Sequence, residues 1–152
     1  MIRKAGAEDA IVAFDIRNRA IMAQCVAEYP LDDMQRWTKG IMPILFAKAF
    51  AQEAYVYELE GQIVATGMLS LSLNQLDALF VDPQFMGKGI GAQMVGYLER
   101  IALQHGVKAL ALEATLNAAA FYRQCGYIGD DVGVYHSPKG FDLACIPMVK
   151  TL

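Results

Sequence analysis

The chain has 152 residues, 55% of them apolar and 19% charged, with a net charge of −3. That length suits one domain, residues 1–152, with a substantial core, and the composition excludes a disordered chain. No cluster of Lys and Arg with interleaved aromatics is present, which argues against nucleic acid as a partner, and no apolar run approaches the ~20 residues of a membrane span. Three widely spaced cysteines, Cys25, Cys125 and Cys145, form no CxxC pair and read as reduced thiols. The N-terminal "MIRKAGAEDA" is charged and lacks the apolar core of a signal peptide, so the expected location is the cytoplasm.

In chain order, "MIRKA" reads as a short first strand. "GAEDAIVAFDIRNRAIMAQ" carries Ile11, Phe14 and Ile21 at helical spacing, with acidic residues in its first turn. Pro30 interrupts, and "LDDMQRWTKG" is expected to form a short helix with an Asp cap, stopped by Gly40. "IMPILFAKAFAQ" is open between a helix after Pro43 and a loop. "AYVYELE" and "QIVATGMLSLS" flank Gly61 as a hairpin, and "QLDALFVDP" is a fourth strand ended by Pro83. From Gly89, the residues Ile90, Met94, Tyr97, Leu98 and Ile101 share one face of a helix running to about His105. "VKALALEA" is a further strand, and "NAAAFYRQCG" a short helix expected to be capped by Asn117 and closed by Gly126. The tail holds two strands joined by a Ser-Pro-Lys-Gly turn.

Hairpins at both ends require antiparallel pairing, whereas "QLDALFVDP", the following helix and "VKALALEA" make a right-handed strand–helix–strand crossover with one parallel pair. The expected fold class is α/β (α+β): a mixed, mostly antiparallel sheet of about seven strands with helices on both faces.

The stretch "LDALFVDPQFMGKGIGAQMV" places Gly87, Gly89 and Gly91 between that fourth strand and its helix. Glycine lets backbone approach a ligand closely. Amides at a helix start have no partner within the helix, and the dipole there favours negative charge, so the turn is a candidate phosphate site. It does not supply GxxxxGK[ST], and GxGxxG fails because Met94 stands where the third glycine belongs.

The turn resembles the hallmark of the GNAT superfamily of acyl-CoA-dependent N-acetyltransferases, [Gln/Arg]-x-x-Gly-x-[Gly/Ala] after a strand. Gly89 and Gly91 fall on the required positions, and Met86 stands where Gln or Arg is usual. "LNAAAFYRQCGY" is similar to a later family motif through Asn117, Ala120, Phe121, Tyr122, Gly126 and Tyr127. Strand and helix order agree along most of the chain.

The resemblance implies acetyl-CoA as cofactor, held between the two parallel strands. Its pantetheine arm would pair with Leu79, Phe80 and Val81. Its pyrophosphate would meet the amides of Met86, Gly87, Lys88, Gly89, Ile90 and Gly91, with Asn117 as a further contact. Tyr122 stands where the family places the general acid: a phenol with pKa ~10 is protonated at neutral pH and can donate to a departing thiolate of pKa ~8.5. Strand amides near Leu79 and Val81 are candidates for stabilising an oxyanion. An alkylammonium acceptor of pKa ~10.4 must first lose a proton. Asp77 and Glu113 are the best-placed carboxylates for that, ahead of Glu53, Tyr57 and His136. No His, Cys or carboxylate spacing suggests a metal.

The implied function is transfer of acetyl from acetyl-CoA to a primary amine of a small molecule, amino acid or peptide. The alternative is a non-catalytic acyl-CoA-binding module. Glu28, Asp32 and Asp33 fall where the family shapes its acceptor pocket, and Trp37 either walls that pocket or packs a helix. A homodimer is compatible with all of these readings.

Overall fold

Residues 1–152 are described by a computed structural model, and its elements follow the hydrophobic spacing closely. The chain runs from β1 (Ile2–Lys4) through α1 (Ala10–Gln24), α2 (Leu31–Thr38) and α3 (Ile44–Glu53). A meander follows, β2 (Ala54–Leu59), β3 (Gln62–Ser70) and β4 (Gln75–Val81). Then come α4 (Ile90–Gln104), β5 (Ala109–Ala114), α5 (Ala119–Gln124), β6 (Gly133–His136) and β7 (Asp142–Thr151). The segment left open by its sequence is helical: α3 begins directly after Pro43, where a fixed φ suits a helix start.

One seven-stranded sheet has the order β1-β2-β3-β4-β5-β7-β6, antiparallel throughout except for the β4–β5 pair. Both faces are covered, and side chains that alternate along β3 show how. Leu69 joins Leu98, Ala102 and Leu110 in a cluster under α4. Its neighbour Met68 packs the opposite way, with Ala13 of α1 and Phe50 of α3. A third cluster, Ile21, Tyr29, Met34, Trp37 and Leu143, ties α1 and α2 to β7.

Two expected caps are replaced. The N-cap of α2 is Pro30, without a side-chain bond, and Asp32 and Asp33 lie inside the first turn, where the helix dipole favours them. Likewise α5 starts from Ala118 rather than Asn117. The acidic start of α1 is a separate turn, Ala7–Asp9, fixed by Arg3 bonding both oxygens of Asp9 (2.8 and 3.2 Å) and by the Gly6 amide on Asp9 (2.8 Å).

What shapes the molecule for function is the way β4 leaves β5. The two strands share a single register pair, Gln75 with Ala111, and then part. On its other edge β4 is bulged against β3 between the Thr66–Phe80 and Met68–Asp77 pairs, and Ala78 takes φ +50°. A bulge bends and twists its strand, here at the point where β4 departs.

The far end of β4 is anchored by an ion pair between the buried Asp82 and the exposed Arg19. Asp82 accepts from Arg19 of α1 through two parallel bonds of 3.0 Å, and from the Gln84 amide at 3.0 Å. Asp82→Ala strips those donors of their acceptor, and the expected loss is about 2 kcal/mol at neutral pH. Arg19 holds the Asp82 carboxyl below the usual aspartate range. Its contribution is therefore complete above the ordinary value of ~3.9 and vanishes as pH falls further, through the folded-state value. Urea melts at several pH values check this: wild-type and Asp82→Ala stabilities converge in acid.

Candidate active site

Two cavities meet at the gap between β4 and β5. The first, of about 690 Å³, lies between the C-terminal half of β4, the start of α4, and α5. Leu79, Phe80, Val81, Met86, Gly87, Gly89, Ile90, Gly91, Asn117 and Tyr122 line it, so ten of the sequence-predicted residues are brought together. Lys88 is not among them: it is exposed, and its ammonium sits 5.5 Å over the Phe85 ring.

The glycine turn is open to this cavity. Gly87 and Gly89 have φ of +76° and +79°, which L side chains rarely adopt, and a Cβ on either would meet nothing within 4 Å. Gly89 is also the N-cap of α4, and no side chain caps that helix. The first-turn amides of α4 therefore face the cavity without an intrahelical partner. From α1, the Gln24 side-chain amide reaches Met86 Sδ at 2.6 Å, at the position where the sequence lacks a polar residue.

A strand edge lines the same space. The Asp82 amide donates to Val64 of β3 at 2.8 Å, and Phe80 is in register with Thr66. Amides alternate between edges, so those of Leu79 and Val81 point away from β3, into the gap that β5 has vacated. The amide of Phe80 is committed to β3, and the part of Phe80 that borders the cavities is its side chain.

Asn117 Oδ1 is buried with no hydrogen-bond partner. An orphaned buried acceptor costs stability and calls for an explanation. Its loop is positioned by Tyr29, whose hydroxyl donates to the Ala144 carbonyl and accepts from the Leu116 amide at 3.0 Å. Burial pushes the neighbouring Cys25 thiol up to about 11, so it is a packing residue at neutral pH.

The second cavity, about 480 Å³, lies on the α1–α2 side of the gap and holds Asp77 and Glu113. Leu79, Phe80, Thr115, Ala118 and Tyr122 line both cavities, so Tyr122 is the aromatic hydroxyl at their junction, with the Thr115 hydroxyl beside the same boundary. Burial raises the Tyr122 hydroxyl above the usual tyrosine range, and it stays protonated. Asp77 is half-buried and also raised, first by burial and then by the charges of Glu53 and Glu113, while a bond from Gln75 at 3.1 Å opposes this. Glu113 is exposed, its Oε2 3.7 Å from the Cys145 thiol.

The weaker sequence candidates fall outside both cavities. Tyr57 bonds Gln93 at 2.7 Å, His136 pairs with Asp142 at the surface, and Glu53 reaches the site through its charge alone. Glu28, Asp32 and Asp33 do not line the second cavity, and Asp33 pairs with Arg36. Trp37 walls the cavity and packs α2 as well. Sequence reasoning missed Arg17, Tyr29 and Tyr135. Phe14 and Arg17 do share a helix face, a local signal for the first of them.

The model of the acetyltransferase (GNAT) family matches residues 18–127, and the chain belongs to that family. The GCN5-related N-acetyltransferase from Rhodopseudomonas palustris superposes with a TM-score of 0.91 at 25% identity, over 100% of this chain and 95% of that one. The PaiA N-acetyltransferase from Thermoplasma acidophilum, solved with coenzyme A, gives 0.79 at 15% identity over 100% and 98%. The ribosomal-protein-S18-alanine N-acetyltransferase from Escherichia coli gives 0.72 at 20% identity over 99% and 92%.

The electrostatics of Asp77 have a measurable consequence. A carboxyl whose folded-state pKa is raised is neutral in acid in both states, and destabilises the fold once pH climbs through the raised value. Asp77→Asn keeps an oxygen for Gln75 and carries no charge. It is expected to melt above wild type at neutral pH, with the gap closing as pH falls toward ~4, in thermal scans at stepped pH.

Proposed function

We propose that this protein is an N-acetyltransferase that uses acetyl-CoA to acetylate a primary amine by direct attack. The observation that carries this reading is the pair of cavities joined at the parted strands. A glycine turn with free amides lies on one side and carboxylates on the other, and Tyr122 borders both. We further read residues 1–152 as one domain acting in a reducing cytoplasm, where its three cysteines remain free thiols. No helix of the structure is long and apolar enough to cross a membrane.

The residues of the first cavity fit coenzyme A. Open space over Gly87 and Gly89 leaves the α4 amides accessible to a diphosphate, as a helix start requires. The strand-edge amides of Leu79 and Val81 suit an extended amide-bearing arm, and Asn117 Oδ1 is an acceptor in want of a donor. When bound, acetyl-CoA supplies an acetyl group activated as a thioester.

The chain's own residues then divide the work. Asp77 removes a proton from the incoming ammonium, directly or through water, and its raised pKa makes it a better base than an ordinary carboxylate. Glu113 keeps negative potential in the acceptor cavity. Of the two strand-edge amides, that of Leu79, which borders both cavities, is the fixed donor for negative charge that develops at a carbonyl oxygen, and that of Val81 serves the arm. Tyr122 keeps its proton on Oη. Full transfer from so weak an acid to a thiolate of pKa ~8.5 is uphill, so its contribution is a hydrogen bond that strengthens as sulfur gains charge.

Acetyl-CoA with a library of primary amines, read by free thiol, tests the activity. Binding without thiol release from any amine would leave a cofactor-binding module instead. Gly89→Val should erase the thermal shift given by coenzyme A, because its side chain fills the space over the α4 amides. Gly40→Val serves as the control: it has the same backbone strain at φ +93° and an equally open Cβ, and should melt lower yet keep the shift. Tyr122→Phe should lower kcat by about 10- to 100-fold and preserve cofactor affinity. An unchanged kcat would remove Tyr122 from the chemistry.

A further inference from the structure

We propose that the acceptor is a primary amine that also carries a carboxylate, and that Arg17 is the receptor for that carboxylate. This deepens the reading above and rests on it.

The second cavity is bipolar. Asp77 and Glu113 supply its negative side, and Arg17 and Lys139 line the same cavity. Arg17 enters none of the ion pairs of the molecule, although Arg3, Arg19, Arg36, Arg123 and Lys150 each find a carboxylate. Its protein hydrogen bonds all come from Nη1, to Asn18 Oδ1 at 2.6 Å and the Trp37 carbonyl at 3.5 Å. Nε and Nη2 are left with three N–H donors, neither atom is fully buried, and Arg17 lines the cavity.

The guanidinium is also held rigidly. It lies 5.4 Å from the Phe14 ring centroid and 5.3 Å from that of Trp37, so the two aromatic faces fix its plane. Burial works against its charge. A partly buried guanidinium with no counter-charge is costly, and an exogenous anion removes that cost. The geometry favours a carboxylate: the fork of Nε–H and Nη2–H matches two coplanar oxygens, which a lysine cannot do. Lys139, tied to the carbonyls of Arg36 and Lys39, adds positive potential beside it. Tyr135 lies within electrostatic reach of Arg17 and of the Glu113–Asp77 pair, so the two poles border one small space. A molecule with ammonium at one end and carboxylate at the other neutralises both.

The test compares acids with their own carboxamides. The probes are the α-amino acids, β-alanine and 4-aminobutyrate, each against its primary amide, with acetyl-CoA and a free-thiol readout. A second arm needs no turnover: calorimetry of the N-acetyl derivatives of the same pairs, on protein with and without coenzyme A. For at least one pair, wild type is expected to favour the acid at least tenfold, in kcat/KM and in affinity. In Arg17→Met the acid-to-amide ratio should fall to about one. Arg17→Gln, which keeps hydrogen bonding without charge, stands in should Arg17→Met not fold. A wild-type protein indifferent to the carboxylate, or an Arg17 variant that retains the preference, overturns the proposal. A lower melting temperature with an intact ratio does so too, since it shows that Arg17 only braces Phe14 and Trp37. Absence of transfer to every amine would sink the acetyltransferase reading instead, and the binding arm would still decide the role of Arg17.

Discussion

The parting of β4 from β5 after one paired rung is the constraint on which the rest of the site depends. Parallel neighbours in a sheet would ordinarily consume each other's amides and carbonyls, and their side chains would close over one continuous core. Here the register reaches only Gln75 and Ala111, and the bulge at Ala78 turns the remainder of β4 outward. An alanine at φ +50° costs about 1 kcal/mol or more, and such strain persists only where the surroundings impose it. The surroundings are identifiable: antiparallel pairing with β3 on both sides of the bulge, and the Arg19–Asp82 pair holding the strand end against α1. From one displaced strand follow a free row of amides, a cavity on each side, and a place where Tyr122 can border both.

Charge is arranged around that gap at a cost to the fold. Asp77 is raised by burial and by carboxylate neighbours, and Arg17 is half-buried between two rings without a counter-ion. Two cation–π contacts, each roughly 0.5–2 kcal/mol, do not cover the several kcal/mol that desolvating an ion demands. The core is correspondingly well made elsewhere: Ile21, Met34, Phe50, Met94 and Leu98 are fully buried, distributed over the clusters on the two faces of the sheet. Stability resides in the helices packed on the sheet, and strain resides in the gap between β4 and β5.

Much of this was legible in the amino-acid sequence where the signal is local. The β4–α4–β5 unit announces itself through an apolar strand, a proline stop and one helical face, and the glycine turn through backbone freedom that only glycine supplies. Nine of the ten residues expected to hold the cofactor line one cavity, together with Tyr122. Non-local features were not legible. Nothing in "LDALF" marks Ala78 as the bulge, since the bend is set by its pairing with β3. Asn117 looks like a helix cap because Asn caps helices, but the helix starts later and the side chain turns inward without a partner. Arg17 looks like an ordinary helix-surface cation until Trp37, from a different helix, closes over it. The Lys88 side chain points outward over Phe85, which leaves its expected contribution, a backbone amide, independent of where that side chain goes.

Met86 bears on how the turn can work without the polar side chain usual at that position. A side-chain hydrogen bond to an anion contributes about 1.5–3 kcal/mol. The helix start offers several unpaired amides together with the dipole, and those belong to the backbone, so substitution at residue 86 leaves them in place. Gln24 approaches the same point from α1, with its amide at Met86 Sδ. A thioether is a weak acceptor, so that amide is poorly satisfied and gives up little in turning to a stronger one. On the proposed reading, anion recognition at this turn is therefore backbone-led, and the polar side chain of Gln24 approaches it from a helix that is distant in sequence. A tolerance of this kind is expected wherever the main chain, rather than a particular side chain, carries the binding.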